Sequence, residues 1–158
     1  MIEVLLNNEL GFDVSEQDVV QVITHILVDH EIQTAEVSLA IVDDATIHQL
    51  NREHLDHDYP TDVLSFVLER SANSLDGEII VSSDTATRLA PEFDWSSQSE
   101  LTLYLIHGAL HLVGYDDHSD EDRLEMRRME LQYLEKAGIA PTAQHLERCG
   151  LEQKEPHA

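Results

Sequence analysis

Three features of the chain predict an α+β fold. Four short apolar segments have strand character, five segments repeat apolar residues at helical spacing, and the strands alternate with helices before giving way to helices alone after residue 82. The expected architecture is a small mixed four-stranded sheet covered by about five helices, centred on a very apolar helix over 99–113. Glu3–Leu6 is a short apolar strand. Ser15 to Asp18 opens a helix in the manner of a capping box. Val19, Val22, Ile23, Ile26 and Leu27 carry that helix to about His30. Glu36–Val42 alternates Val37, Leu39 and Ile41 against Ser38 and Ala40, the period of a strand. Asp43 or Asp44 caps a second helix through Ile47 and Leu50 to about His54, and the tract from Asp56 to Pro60 is a turn. Val63–Leu68 and Gly77–Ser82 are strands, and Ser83–Ala90 is a helix that Pro91 ends. Glu92–Gln98 reads as a polar loop holding the only tryptophan, Trp95. Ser99–Val113 is the central helix. Ser119 to Asp122 caps a last helix to Gly138, with Leu124, Met126, Leu131 and Leu134 available for packing. Residues 1–137 form one domain, and 138–158 read as a polar C-terminal tail.

Composition bounds the function. At 158 residues the chain is long enough for one real core, and its 42% hydrophobic content is that of a globular protein. No apolar run has the length of a membrane span, and the N-terminus lacks the basic region of a signal peptide. The single cysteine, Cys149, has no partner for an internal disulfide, which suits a cytoplasmic protein. Nine Lys and Arg face 32 Asp and Glu, a formal net charge of -23. Such a surface repels nucleic acid at long range, and DNA is not an expected partner. Three features counter that repulsion for RNA: the positive charge of a bound metal, a salty medium, and Arg123, Arg127 and Arg128 on one helix. The plainer reading of those arginines is a solvated helix face with Glu partners.

Residues 107–118, His-Gly-Ala-Leu-His-Leu-Val-Gly-Tyr-Asp-Asp-His, carry the chemistry. Two histidines four apart on a helix share one side. Gly114 stops the helix and returns Asp116, Asp117 and His118 toward them. Two imidazoles with an Asp or His, and room for water, make the ligand set of a catalytic zinc site. The metalloprotease form of the motif places a Glu base after the first His; here that residue is Gly108.

This segment resembles the YbeY family of bacterial endoribonucleases, or rRNA maturation factors, with its pattern His-Gly-x-Leu-His-Leu-x-Gly-Tyr-Asp-His. Pro60-Thr61-Asp62-Val63-Leu64-Ser65-Phe66 resembles the family's second signature, and Asp76-Gly77-Glu78-Ile79-Ile80-Val81 its Leu-Gly-Asp/Glu-Ile strand. The resemblance covers about residues 1–137. It implies the same α+β architecture, one zinc per chain, and cleavage of single-stranded RNA in 3′-end maturation of small-subunit rRNA and ribosome quality control. Ribosomal particles are the implied partner. Two positions depart from the family. Its third histidine falls without a gap on Asp117, so the ligands are His107, His111 and Asp117, with His118 as the alternative third. Leu55 stands where many members carry an Arg. The base is open between Asp62, Asp116 and a nearby His; the plainer role of Asp62 is to bind backbone amides in its turn. Ser65 reads as structural or a weak substrate contact. His54 and His57 flank the turn before Pro60 and can reach the cleft, whereas His25, His30 and His48 read as surface or helix-end residues, and His145 and His157 belong to the tail. Two rival functions remain: a zinc hydrolase acting on peptides or small molecules, and a non-enzymatic ribosome-assembly factor in which zinc is a structural clamp.

Overall fold

The computed structural model describes residues 1–55 and 61–150. The expected turn over 56–60 with His57, the side chain of Leu55, and residues 151–158 with His157 lie outside the described residues.

Strands β1 (Ile2–Asn7), β2 (Thr34–Val42), β3 (Val63–Arg70) and β4 (Ser74–Ser82) form one mixed sheet in the order β1-β2-β4-β3. β1 and β4 both run parallel to β2, while β3 runs antiparallel to β4. Each strand presents alternate side chains to opposite faces, and both faces of the sheet's middle are covered. Val37, Leu39, Ile41, Leu75, Ile79 and Val81 face the main core with helices α1 (Glu16–Asp29) and α4 (Ser97–Leu112). Leu64 and Ile80 face the other way, onto Ile47 of helix α2 (Asp44–Leu55). Helix α3 (Ser83–Leu89) and a 3-10 turn (Ala90–Phe93) lead into α4, and helix α5 (Asp120–Lys136) packs on α4 from outside the sheet.

The caps follow the sequence. Ser15 accepts from the Asp18 amide at 3.2 Å and Ser119 from the Asp122 amide at 3.0 Å, each satisfying an otherwise orphaned donor. Helix α4 begins earlier than the sequence suggests. Ser96 caps it at the Ser99 amide, and Pro91 lies in the first turn of the 3-10 helix, so both ends of the expected polar loop over 92–98 are helical. Eleven of the residues of α4 are buried. The helix lies so close to the sheet that a Cβ at Gly108 would sit 2.6 Å from Ile79 Cγ2. That contact explains why Gly108 stands where a metalloprotease has its Glu: no side chain fits there.

The expected polar tail over 138–158 needs correction across 143–149. Ala143–Cys149 forms a sixth helix, α6, capped by Thr142 at the His145 amide. It docks through Arg148, which forms a two-pronged ion pair with Glu100 at 2.8 and 2.9 Å and lies over the Phe93 ring. His145 is fully buried and stacks on Trp95, ring centroids 4.4 Å apart. These partners are polar or aromatic, so the hydrophobic period that marks a helix in sequence is missing.

Candidate metal centre

Helix α4 sets two imidazoles one turn apart. The turn after it brings an acid back to them. At its C-terminus the Gly114 amide donates to the His111 carbonyl and the Tyr115 amide to the Leu110 carbonyl, with Gly114 at φ 110°. That left-handed residue reverses the chain, and glycine adopts it without strain. Arg70 of β3 donates to the Leu112 carbonyl at 2.9 Å, placing a cation at the negative end of the helix.

The result is a three-residue cluster. The Nε2 atoms of His107 and His111 are 3.0 Å apart. Asp117 Oδ2 lies 3.7 Å from the first and 3.5 Å from the second. The ligand atoms of all three residues fall within 4.8 Å of one another. His118 does not join them: it is 84% exposed and pairs with Asp116 at 3.0 Å. Asp116, Asp117 and His118 make a second, outward group within the same span.

The outer nitrogens fix what the inner ones can do. His107 Nδ1 is 3.0 Å from Glu130 Oε2, and His111 Nδ1 is 3.0 Å from the Tyr115 carbonyl oxygen. Both partners accept only, so each Nδ1 carries the proton. In their neutral form the two rings then aim bare Nε2 lone pairs at each other across 3.0 Å, with a carboxylate oxygen alongside. Three acceptors converging without a donor repel one another unless a cation sits among them. The donor set therefore fits a divalent metal ion, and His–carboxylate pairing behind a ligand is the usual way such a ring is oriented.

Glu130 is completely buried and also accepts from Arg127 at 2.8 and 3.3 Å. Burial pushes its carboxyl upward, but the His107 hydrogen bond and the Arg127 charge outweigh that and hold it below the usual carboxylate range. Sequence reasoning missed Glu130 because an acid on a charged helix reads as a solvated face. Its signal was position: Met126, Glu130, Tyr133 and Leu134 share one buried stripe of α5. Arg127 thus has the Glu partner expected of it, but buried beneath the site rather than in solvent.

The cluster opens into a cleft of about 650 Å³. Its lining joins His107, His111 and Asp117 to Asn51 of α2 and to Thr61, Asp62, Ser65 and Val67. Asp62 therefore faces the same space as the histidines, its carboxylate taking a long 3.4 Å hydrogen bond from the Thr61 hydroxyl. Asn51, buried to 1%, is a second cleft residue that the sequence did not single out. His54 stacks edge-on against Phe66, and His30 ends α1 with its ring on the Ile26 carbonyl and the Tyr115 hydroxyl.

Known proteins match this chain along most of its length. The family model described as Endoribonuclease YbeY matches residues 6–138. Proteins named Endoribonuclease YbeY from Salinibacter ruber and Chloroherpeton thalassium are 40% and 35% identical, over 77% and 84% of this chain and 83% and 94% of their own lengths. A third so named, from Rhodopirellula baltica, is 49% identical over 65% of this chain, which spans only 54% of that relative. The solution structure of TM1509 from Thermotoga maritima superposes with a TM-score of 0.57 at 27% identity, covering 100% of this chain and 99% of that one. An α+β domain with its histidines on the central helix, matched across these lengths, belongs to the endoribonuclease YbeY family.

Proposed function

We propose that this protein is a zinc-dependent endoribonuclease that cleaves phosphodiester bonds in single-stranded RNA, acting in 3′-end maturation of small-subunit rRNA and in ribosome quality control. The observation that carries the reading is the convergence of two histidine Nε2 atoms, 3.0 Å apart, with the Asp117 carboxylate, in a chain of an endoribonuclease family. His107, His111 and Asp117 hold one zinc ion, and His118 stays outside the ligand set. A zinc ion bound there supplies a Lewis acid that lowers the pKa of water and polarises a phosphodiester oxygen.

The protein's own groups do the rest. Glu130 and the Tyr115 carbonyl hold the two imidazoles in the tautomer that leaves Nε2 bare. Asp62, in the same cleft, receives the proton of the attacking oxygen, whether that oxygen belongs to water or to the RNA 2′-hydroxyl. Asn51, Thr61 and Ser65 offer neutral polar groups to the sugar and phosphate. Peptide hydrolysis is disfavoured, because the position of a protease base is Gly108, packed on Ile79. Ribosomal particles in the cytoplasm are the site of action in this reading. Among the described residues no helix is long and apolar enough to cross a membrane.

The deciding experiment is cleavage of a labelled single-stranded fragment from the 3′ end of small-subunit rRNA by wild type and by His107→Ala, with zinc measured on both. Cleavage by wild type alone is expected. Equal cleavage by both, or none from zinc-loaded wild type, would shift the reading to a ribosome-assembly factor with a structural zinc, or to a hydrolase of another substrate.

A further inference from the structure

An RNA strand in this cleft meets a protein most of whose described cations are already engaged. Arg88, Arg123, Arg127, Lys136 and Arg148 each pair with a carboxylate, and Arg70 donates to the Leu112 carbonyl. Among the described residues that line the cleft there is no lysine or arginine, while Asp62 and Asp117 add negative charge. Phosphate neutralisation, the ordinary source of affinity for nucleic acid, has little to work with here.

The cleft does present one edge of the sheet. β3 is the last strand in the order and, among the described residues, pairs only with β4. The Ser82 amide donates to the Asp62 carbonyl at 3.0 Å, and the register continues from there as Val63 opposite Val81 and Leu64 opposite Ile80. Asp62 and Ser82 are thus a hydrogen-bonded pair, and in an antiparallel ladder such pairs alternate. Leu64 and Phe66 then turn their backbone groups to β4, whereas Val63, Ser65 and Val67 turn theirs to the open edge. These three residues line the cleft together with His107, His111 and Asp117. The register shifts after Val67, which ends the regular edge there.

We infer that the open edge of β3 over Val63–Val67 is the platform for single-stranded RNA, with the backbone N–H and C=O groups of Val63, Ser65 and Val67 hydrogen-bonding base edges. The inference rests on the endoribonuclease reading above. Unstacked bases offer donors and acceptors together, matching a strand edge that alternates the same two groups. Such bonds involve no protein cation and release no counterions, so they suit a chain of net charge -23. Val67, 51% exposed, gives a base an apolar surface to rest on.

Amide hydrogen exchange tests this directly, on wild-type protein with and without an excess of a single-stranded 2′-O-methyl RNA decamer. The Ser65 and Val67 amides should exchange fast in free protein and about tenfold or more slowly with the RNA, while Leu64 and Phe66 stay slow throughout. Ser65→Pro removes one outward N–H without taking a ladder bond, so it should keep the fold and weaken RNA binding about two- to tenfold. The log–log salt dependence of binding should be shallower than about -1, near that of a single phosphate contact on single-stranded nucleic acid. RNA that binds without slowing Ser65 or Val67, or with a slope steeper than about -3, overturns the edge platform alone. A wild-type protein that neither binds nor cleaves single-stranded RNA overturns the endoribonuclease reading and this inference with it.

Discussion

Two clusters along helix α4 use the same three residue types in different orders. Toward its C-terminal end, Arg127 holds Glu130 and Glu130 holds His107. Toward its N-terminal end, Glu100 holds Arg148 and Arg148 donates to His145 Nδ1 at 2.8 Å. Both glutamates are completely buried. In the first cluster the carboxylate stands between the cation and the imidazole, so the ring keeps its Nδ1 proton and turns a bare Nε2 to the cleft. In the second the guanidinium stands between, and burial together with the Arg148 charge pushes the His145 ring down to about 4. The order of the three groups decides whether a histidine turns a nitrogen to the cleft or serves as a neutral packing element.

The second cluster is the more expensive to break. Arg148→Ala leaves the Glu100 carboxylate buried without its cation, with Trp95 Nε1 still donating to it at 2.9 Å. The expected loss is about 3–5 kcal/mol of stability, read as a drop in the denaturation midpoint. Metal affinity should change little, since His107, His111 and Asp117 make no hydrogen bond to Arg148. A large loss of bound metal at unchanged stability would show that the two clusters are one unit.

Acid should release the same cluster with a defined sign. His145 has an ordinary value of 6.5 and falls to about 4 in the folded chain. The folded state therefore resists protonation, and its stabilisation is present above pH 6.5 and lost as the pH falls toward 4. The whole window is worth roughly 3 kcal/mol. Glu100 is also held below its ordinary range, because Arg148 outweighs its burial, so it adds to the loss at the acid end. Trp95 is the only tryptophan and stacks on His145, so its fluorescence reports the undocking. The change should appear between pH 6.5 and 4 with or without a chelator; a transition that follows the metal instead would assign it to the other cluster.

The contrast also separates what was legible in sequence from what was not. The shared side of His107 and His111 and the stop at Gly114 that returns Asp117 toward them are local, set by helical period and one glycine. The caps at Ser15 and Ser119 and the alternation of Val37, Leu39 and Ile41 are local too. Glu130, Glu100 and α6 depend on partners far along the chain. Glu100 meets Arg148 across 48 residues and Glu130 meets His107 across 23. A buried acid looks like any surface acid until its partner is known. The α6 segment carries Leu146 among polar neighbours and folds against rings, not against an apolar stripe.

Glu130→Gln sharpens the first cluster. The amide keeps the shape but removes the charge that fixes the Nδ1 proton of His107. Zinc affinity should fall about 10- to 100-fold, measured by competition with a chelator of known strength. That is about 1.4–2.7 kcal/mol, smaller than the stability loss at Arg148. Unchanged affinity would mean that Glu130 only neutralises Arg127.

The smallest expected effect distinguishes Asp117 from its neighbour. His118 is exposed and its ring meets Asp116, outside the group that holds His107 and His111. His118→Ala should leave stability within about 0.5 kcal/mol and leave zinc at one per chain. Asp117→Ala should lose the metal, because two imidazoles alone leave a zinc ion half coordinated. If instead His118→Ala loses zinc and Asp117→Ala keeps it, the 115–119 turn shifts by one residue when metal binds. The family's third histidine would then be replaced in this chain by the residue one place further on. The two variants measured side by side for zinc content decide which residue closes the site.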